Sequence, residues 1–484
     1  MGRRGLYSLN HVFLVSLCCW AVGGKSQINR ANLNGTVTDP SGARVASAKV
    51  QVLETDTGFI RQTTTGDSGT YSISSLPVGN YNLTISREGF KTYVETGIEL
   101  FVGQTRTVDA QLVVGAATAK VEVRGQVQAV DSSNAEIAGV VQSRQVEDIP
   151  LNGRNWSTLA MLAPGVVNLG GGGQRDLRFV GRGTDDNNYT FDGLDATGVQ
   201  EQNQKVGVRL PISLDSIAEF RVASSVYTAD KGGSAGAQVS VVTKTGTNVF
   251  HGAAFEFLRN NVLDARGPFD FNPLTGLGYV PPLRLNQFGG EIGGPIKKDR
   301  TFFYANYEGI RQVQNITVIG FVPSAAYRAT VIDPALTPFL ASWPLGQTPT
   351  SDPNVSQWTS PGANNQREDN GMFRLDHTFS DRTSIFGRVI IDDATISSPL
   401  DTVGGRDNPF VRPSNYVVQL THTFSPTIVN ELRGGVNRSA MHHYFFGTSP
   451  YFTNTVNGPA YVGVSVSGFD TPSDFTRRGD RHHD

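Results

Sequence analysis

The chain has 484 residues, with 17% charged residues, 54 glycines, two cysteines and a formal net charge of −2. Soluble domains average about 25% charged residues and about 7% glycine, so this composition favours a glycine-rich β protein over a helical enzyme. The near-neutral charge argues against a nucleic-acid partner.

The N-terminus reads as an export signal. Arg3 and Arg4 precede the short apolar run "VFLVSLCCWAV" (12–22), and small residues follow in "GGKS". The run is too short to span a bilayer, so residues 1–26 are expected to be a signal peptide, with an uncleaved anchor as the alternative. Cleavage would remove both cysteines, Cys18 and Cys19, and take the net charge to −5. An exported chain without disulfides needs a large sheet or a lipid-bounded barrel for stability. No later stretch offers 18 consecutive apolar residues, so a membrane role requires strands.

Residues 27–112 alternate apolar and polar positions, as in Val50 and Val52 or Tyr81, Leu83 and Ile85. Turn signals such as "DPSG" and "PVGN" punctuate the pattern, which predicts a small antiparallel β-sandwich. Gly35 to Gly42 and Gly69 to Tyr81 carry spacings that resemble the carboxypeptidase regulatory-like domain, a transthyretin-like sandwich with a carbohydrate-binding-like fold. The segment contains no histidine, and nothing in it has zinc-ligand spacing. Residues 113–125 read as a linker with one short strand. There "AKVEVRG" is similar to the segment by which outer-membrane receptors engage the periplasmic energiser TonB, which makes Lys120, Val121, Glu122 and Val123 the TonB-contact candidates. The mechanism would be β-augmentation, a strand added to a partner's sheet edge.

Residues 126–250 predict an α+β unit. A helix, a turn and a second helix are expected over 143–164, with Asn152 in the N-cap region and Pro164-Gly165 as the stop. A further helix is expected at "SLDSIAEF" (213–220), ahead of strands. "LNGR" (151–154), "FVGRG" (179–183), "FDGLD" (191–195), "SLDSIAEF" and "SAGAQVSVVTKTGTNVFHG" (234–252) together resemble the plug domain of TonB-dependent receptors of the Oar-like branch. That resemblance implies ligand contact at the plug apex, with Arg182, Asp185, Asp186, Asn187 and Asn188 as candidates. Arg154, Arg182 and Lys244 are candidates for plug–barrel contacts. "DDNN" and "DGLD" could ligate calcium, but turn chemistry explains them more simply.

From 251 to 484 the chain becomes aromatic-alternating stretches, about ten candidate strands, including 251–258, 301–309, 370–379, 384–392, 414–424 and 428–437. In "MFRLDHTFS" (372–380) Phe373, Leu375 and Phe379 share one face and Arg374, Asp376 and Thr378 the other. Val418, Leu420 and Phe424 likewise oppose Gln419, Thr421 and Thr423. Strands of about ten residues, short turns ("IKKDR", "SDR", "SPT") and long loops (about 320–369 and 393–413) fit an outer-membrane barrel. Phe302, Phe303, Tyr304, Tyr307, Phe379 and Phe424 are placed in its aromatic girdle. Barrels of the resembled family close with roughly 22 strands, so the expectation is an incomplete antiparallel β-barrel, the N-terminal part of a truncated receptor.

The expected fold class is therefore mainly β: a sandwich, an α+β plug, then an incomplete barrel. The implied function is import of an unidentified ligand, such as an oligosaccharide or peptide, gated by the plug and energised through TonB. The partners would be the TonB complex, outer-membrane lipid and that ligand. The alternative is a surface carbohydrate-binding or adhesion protein using the sandwich. No nucleophile–histidine–acid set stands out. The adjacent pairs His442-His443 and His482-His483 lack metal-ligand spacing, and "LGGGGQ" (169–174) lacks the lysine of a phosphate loop, so neither enzymatic chemistry, a cofactor nor a metal is expected.

Overall fold

The computed structural model describes residues 30–116, 119–124, 136–169, 177–183, 186–197, 212–225, 227, 235–266, 272, 275, 277–331, 333–334, 337–399, 406–425, 428–438, 440–446 and 477–479. The signal-like segment, Asp185 and His482-His483 lie outside them.

The first unit is the expected sandwich. Strands β1 (Ala31–Thr38), β2 (Lys49–Glu54), β3 (Ile60–Thr64), β4 (Thr70–Leu76), β5 (Gly79–Ser86), β6 (Thr92–Leu100), β7 (Thr105–Thr107) and β8 (Ala110–Gln111) form two sheets. One has the order β4-β1-β7 with β8 also on β1. The other has the order β3-β2-β5-β6 and gains β9 (Lys120–Arg124) as its outer strand. Alternate residues meet between the sheets: Leu33, Leu76, Tyr81, Leu83, Ile85 and Ile98 are fully buried. Each aliphatic side chain so buried contributes about 1.5–3 kcal/mol. Tyr71 and Tyr81 belong to this core, which leaves neither ring open for stacking on a sugar.

The plug follows. Strands β10 (Ile137–Val141), β11 (Val166–Asn168), β12 (Leu177–Phe179), β13 (Asn188–Phe191), β14 (Leu194–Asp195), β15 (Ile217–Ser225) and β16 (Gln238–Thr243) include a five-stranded sheet of order β10-β15-β16-β13-β14. Only the first expected helix is α-helical, at Ser143–Asp148. The second is a 3-10 helix, Trp156–Leu162, capped by Asn155, whose side chain accepts the Ser157 N–H, rather than by Asn152. The expected helix at 213–220 is one 3-10 turn, Leu214–Ser216, leading directly into β15. Its apolar residues serve strand faces: Ile217, Phe220 and Val222 are wholly buried. Trp156 makes edge contacts with Phe220 and Phe191, at centroid distances of 5.2 and 6.4 Å.

The third unit is a curved antiparallel wall. It comprises β17 (His251–Asn260), β18 (Leu283–Lys297), β19 (Thr301–Pro323), β20 (Thr348–Pro349), β21 (Val355–Ser380), β22 (Thr383–Pro399), β23 (Arg406–Val411), β24 (Ser414–Ser425), β25 (Ile428–Arg438), β26 (Met441–Phe446) and β27 (Arg477–Gly479). The expected loop over 320–369 is shorter, confined mainly to 324–354, because β19 and β21 pair without a break from Thr301–His377 to Pro323–Val355. Much of 393–413 is also strand.

The expected alternation holds across the wall. Phe373, Phe379, Val418, Phe424, Leu432 and Val436 point outward and are exposed, whereas Gln419, Thr421 and Arg388 point inward and are buried. Two girdle assignments change. Phe302 and Tyr304 face inward, and Tyr304, Met372 and Ile390 complete the plug core. Along β21 the outward apolar band runs from Phe379 to Gly371, just short of Asp369. Ten residues of strand cover about 33 Å, or about 23 Å of height at a tilt of about 45°, close to the roughly 25 Å apolar band of an outer-membrane barrel.

Candidate functional site: the plug–wall interface and the coupling strand

Three charged contacts tie the plug to the wall. The first is built on a tight turn. Phe191 pairs with Leu194, leaving Asp192 and Gly193 as a two-residue hairpin loop. Both have positive φ, 48° and 77°, as a type I′ turn requires, and Asp-Gly is a preferred pair for it. The turn drives the Asp192 carboxylate into the wall. Arg388 Nε approaches Asp192 Oδ2 at 2.7 Å and Arg374 Nη1 approaches Oδ1 at 3.3 Å. Thr243 donates to the same carboxylate from its N–H (3.0 Å) and hydroxyl (2.9 Å). Burial alone would raise the Asp192 carboxyl, but Arg388, Arg374 and Thr243 outweigh it and hold it below the usual range. Arg388 also donates to Asn415 Oδ1 at 2.7 Å. A Cβ on Gly193 would meet the Arg433 guanidinium, the movable end of a long side chain, so it is the positive φ that favours glycine here.

The second contact is Arg154, in "LNGR". Gly153 and Arg154 both have positive φ. Arg154 Nη2 meets Asp215 Oδ1 of the plug at 2.6 Å, and Nε lies 3.8 Å from Glu308 of the wall. Its guanidinium stacks over Phe255 at 4.1 Å and faces Phe257 at 5.5 Å, so one plug cation spans two wall strands. The third is Lys244, whose Nζ lies 3.0 Å from Glu147 of the plug and 3.2 Å from Glu291 of the wall. Burial would lower the Lys244 ammonium, but Glu291 and Glu147 overcome that and raise it. Two of the three expected plug–barrel residues are thus at the interface. Arg182 is exposed, next to Val180 and Gly181, both at positive φ, and among the described residues it makes no ion pair with the wall.

Asp192 was missed as an anchor. Its signal lay in "FDGLD", where an Asp-Gly turn at the end of a β-branched and aromatic strand places a carboxylate at the strand tip.

At the plug apex the candidates separate. Arg182 is exposed and Asp186 half-buried, its Oδ2 accepting the Gly183 N–H at 3.2 Å. Asn187 and Asn188 are buried and turned inward. Asn187 donates to the Leu177 carbonyl and accepts the Ala237 N–H, and Asn188 donates to Gln238. Their amides hold the apex together.

The coupling candidates Lys120–Val123 form β9, which pairs in parallel with Thr92–Thr96 of β6. The strand is therefore stored on the sandwich. The sandwich in turn grips both other units. Val102 N–H donates to buried Glu219 of the plug, and Arg221 Nη1 donates to the Val102 carbonyl at 3.5 Å. Arg61 donates to Thr423 of the wall, Arg30 Nε lies 3.5 Å from Glu431, and Asn248 N–H donates to the Asp56 carbonyl at 2.8 Å. Burial, followed by the nearby Glu99 charge, pushes the Glu219 carboxyl up to about 8, against the Val102 N–H. A cavity of about 500 Å³ lies where the three units meet, lined by Glu54, Lys244, Glu291, Arg374 and Asp376 among others.

Comparison with known proteins agrees with this architecture. Residues 242–478 match the family model described as an outer membrane beta barrel domain, and residues 32–113 match the carboxypeptidase regulatory-like domain. The TonB-dependent transporter Oar of Myxococcus xanthus is 27% identical over 297 residues, 59% of this chain and 27% of that transporter. The chain thus matches about a quarter of that relative's length. Among solved structures, the outer membrane transporter YddB from Escherichia coli aligns with a TM-score of 0.44 and 12% identity, over 64% of this chain and 39% of that one. The siderophore receptor PirA from Acinetobacter baumannii aligns with a TM-score of 0.35 and 13% identity, over 66% and 46%. With its sandwich, plug and lipid-facing wall, the chain combines residues that match a carboxypeptidase regulatory-like domain with residues that match an outer membrane beta barrel domain, and it is similar in sequence to the TonB-dependent transporter Oar.

Proposed function

We propose that the chain acts in TonB-dependent import, with the plug closing the lumen until a pull on Lys120–Val123 displaces it. The observation that carries this reading is the chemistry of the plug–wall contact. Beside the apolar contacts of Tyr304, Met372 and Ile390, Asp192, Arg154 and Lys244 hold the plug through ion pairs, which water can replace as the plug moves. Ligand would meet the plug at Arg182 and Asp186, the apex candidates among the described residues that are not fully buried. TonB would pair with β9, either at its outer edge or after β9 leaves β6.

The test uses the full chain in outer membranes and the purified C-terminal domain of TonB. The protein is expected to fractionate with outer membranes and to bind that domain. Val121→Pro with Val123→Pro should abolish binding, because proline removes ladder donors. Recovery as a soluble periplasmic protein, or undiminished binding by the double variant, would refute the proposal.

A further inference from the structure

The outward face of the wall changes character just above its apolar band. Arg311 of β19 stands directly opposite Arg367 of β21, and exposed Arg284 lies one strand away on β18, opposite Val313. Like charges directly opposite in a ladder repel, and a single carboxylate serves both partners: Asp369 meets Arg311 Nη2 at 2.6 Å and Arg367 Nη2 at 2.7 Å, and accepts the Tyr307 hydroxyl at 2.5 Å. Arg311 also faces the Phe288 ring at 5.7 Å.

Register places further charges on this outward face. Asp393 lies opposite Asp369 and pairs with Arg412 at 3.7 Å. Glu256 lies opposite Phe288, and Arg438 opposite Ser414. Among the described residues, Arg284, Arg311, Arg367 and Arg412 thus share this end of the face with the three acids Glu256, Asp369 and Asp393. Below them toward the periplasmic turns the same face offers Phe303, Phe373 and Val418.

We propose that Arg311 and Arg367, with Arg284 at the flank, bind a phosphate of a phosphorylated glycolipid in the outer leaflet, whose acyl chains lie along the apolar band below. Two guanidiniums on adjacent strands match a phosphate's oxygens in a forked geometry. The surplus positive charge sits at the height where anionic headgroups begin. The shared chemistry with free phosphate is the anion; the acyl chains distinguish the lipid.

The full chain is extracted from outer membranes in mild detergent, and co-purifying phosphorylated glycolipid per protein is measured by mass spectrometry. Arg311→Ala with Arg367→Ala should lower it at least tenfold, since the loss of even one charge-assisted contact costs about that much, and Arg311→Lys with Arg367→Lys should restore part of it. Inorganic phosphate at matched phosphate concentration should leave the lipid in place. Unchanged lipid in the alanine variant, or displacement by inorganic phosphate alone, overturns the proposal. Should the alanine variant misfold, Asp369→Asn decides: it frees both guanidiniums and should raise bound lipid, and no increase overturns the assignment.

Discussion

Removing the Asp192 carboxylate should undock the plug. Asp192 lies 2.7 Å from Arg388 and 3.3 Å from Arg374, and the Arg388 side chain is completely buried. At an effective dielectric constant of about 20, charges at these separations attract by roughly 5–6 kcal/mol each. Desolvation offsets much of this, so the net value is better taken from buried pairs broken on one side, about 3–5 kcal/mol. Asp192→Ala should therefore destabilise plug docking by about 3–5 kcal/mol, because the buried Arg388 guanidinium is left without its carboxylate, whereas Arg374 keeps Asp376 at 2.8 Å. Asp192→Asn, which keeps the shape and the acceptor for Thr243, should cost less. Adding Arg388→Met to Asp192→Ala should recover part of the loss, since an apolar chain replaces a stranded charge. Hydrogen exchange of β13 and β16 in the purified chain reads the docking directly. Protection in Asp192→Ala within about 0.5 kcal/mol of the parent would refute the view that this carboxylate anchors the plug.

Other outcomes follow from the same geometry. Gly193→Ala should cost about 1–2 kcal/mol in urea unfolding, the penalty of left-handed backbone for a residue with a Cβ; a neutral result would mean that the turn is not held as described. Arg154→Ala should lose about 2–4 kcal/mol, and Arg154→Lys should recover only a fraction, because lysine keeps the charge but not the planar stack over Phe255. Glu219 gives a pH signature. Its folded value of about 8 lies above the ordinary 4.5, so the folded state holds a proton that the unfolded state has released between those limits. Stability should fall as pH rises from about 4.5 to about 8 and level off above. Glu219→Gln should flatten that slope in urea midpoints followed by Trp156 fluorescence, and an identical slope in the variant would remove Glu219 as its source.

Much of this molecule was legible in the chain itself. Alternation of Val50, Val52, Leu83 and Ile85 determined a sandwich, because a strand half in water must alternate. Phe373, Leu375 and Phe379 against Arg374 and Asp376 determined wall strands with one apolar face. "GGPIKKDR" determined a tight turn. Arg154 and Lys244 could be proposed as lumenal charges because their motifs resembled a plug. The segment "GANNQREDN" (362–370) reads as a loop because it is polar on both sides, yet it is strand. Residues 362–370 face water or the lumen on one side and the headgroup level on the other, so no apolar period marks them. Only the ladder with β19 reveals the strand.

What the tertiary structure alone decided was orientation and partnership. Alternation states that Phe302 and Phe303 lie on opposite faces; packing of the plug decides that Phe302 and Tyr304 face inward. The Asp192-Gly193 turn is a local matter, but the value of its carboxylate comes from Arg374 and Arg388, about 180 and 200 residues further along the chain. The pairing of Lys120–Arg124 with β6 is a parallel contact made across a turn of chain that carries no sequence signature. Local periodicity follows from each residue's own choice between water and an apolar face. The identity of the surface that covers it depends on distant chain, and that only the assembled fold supplies.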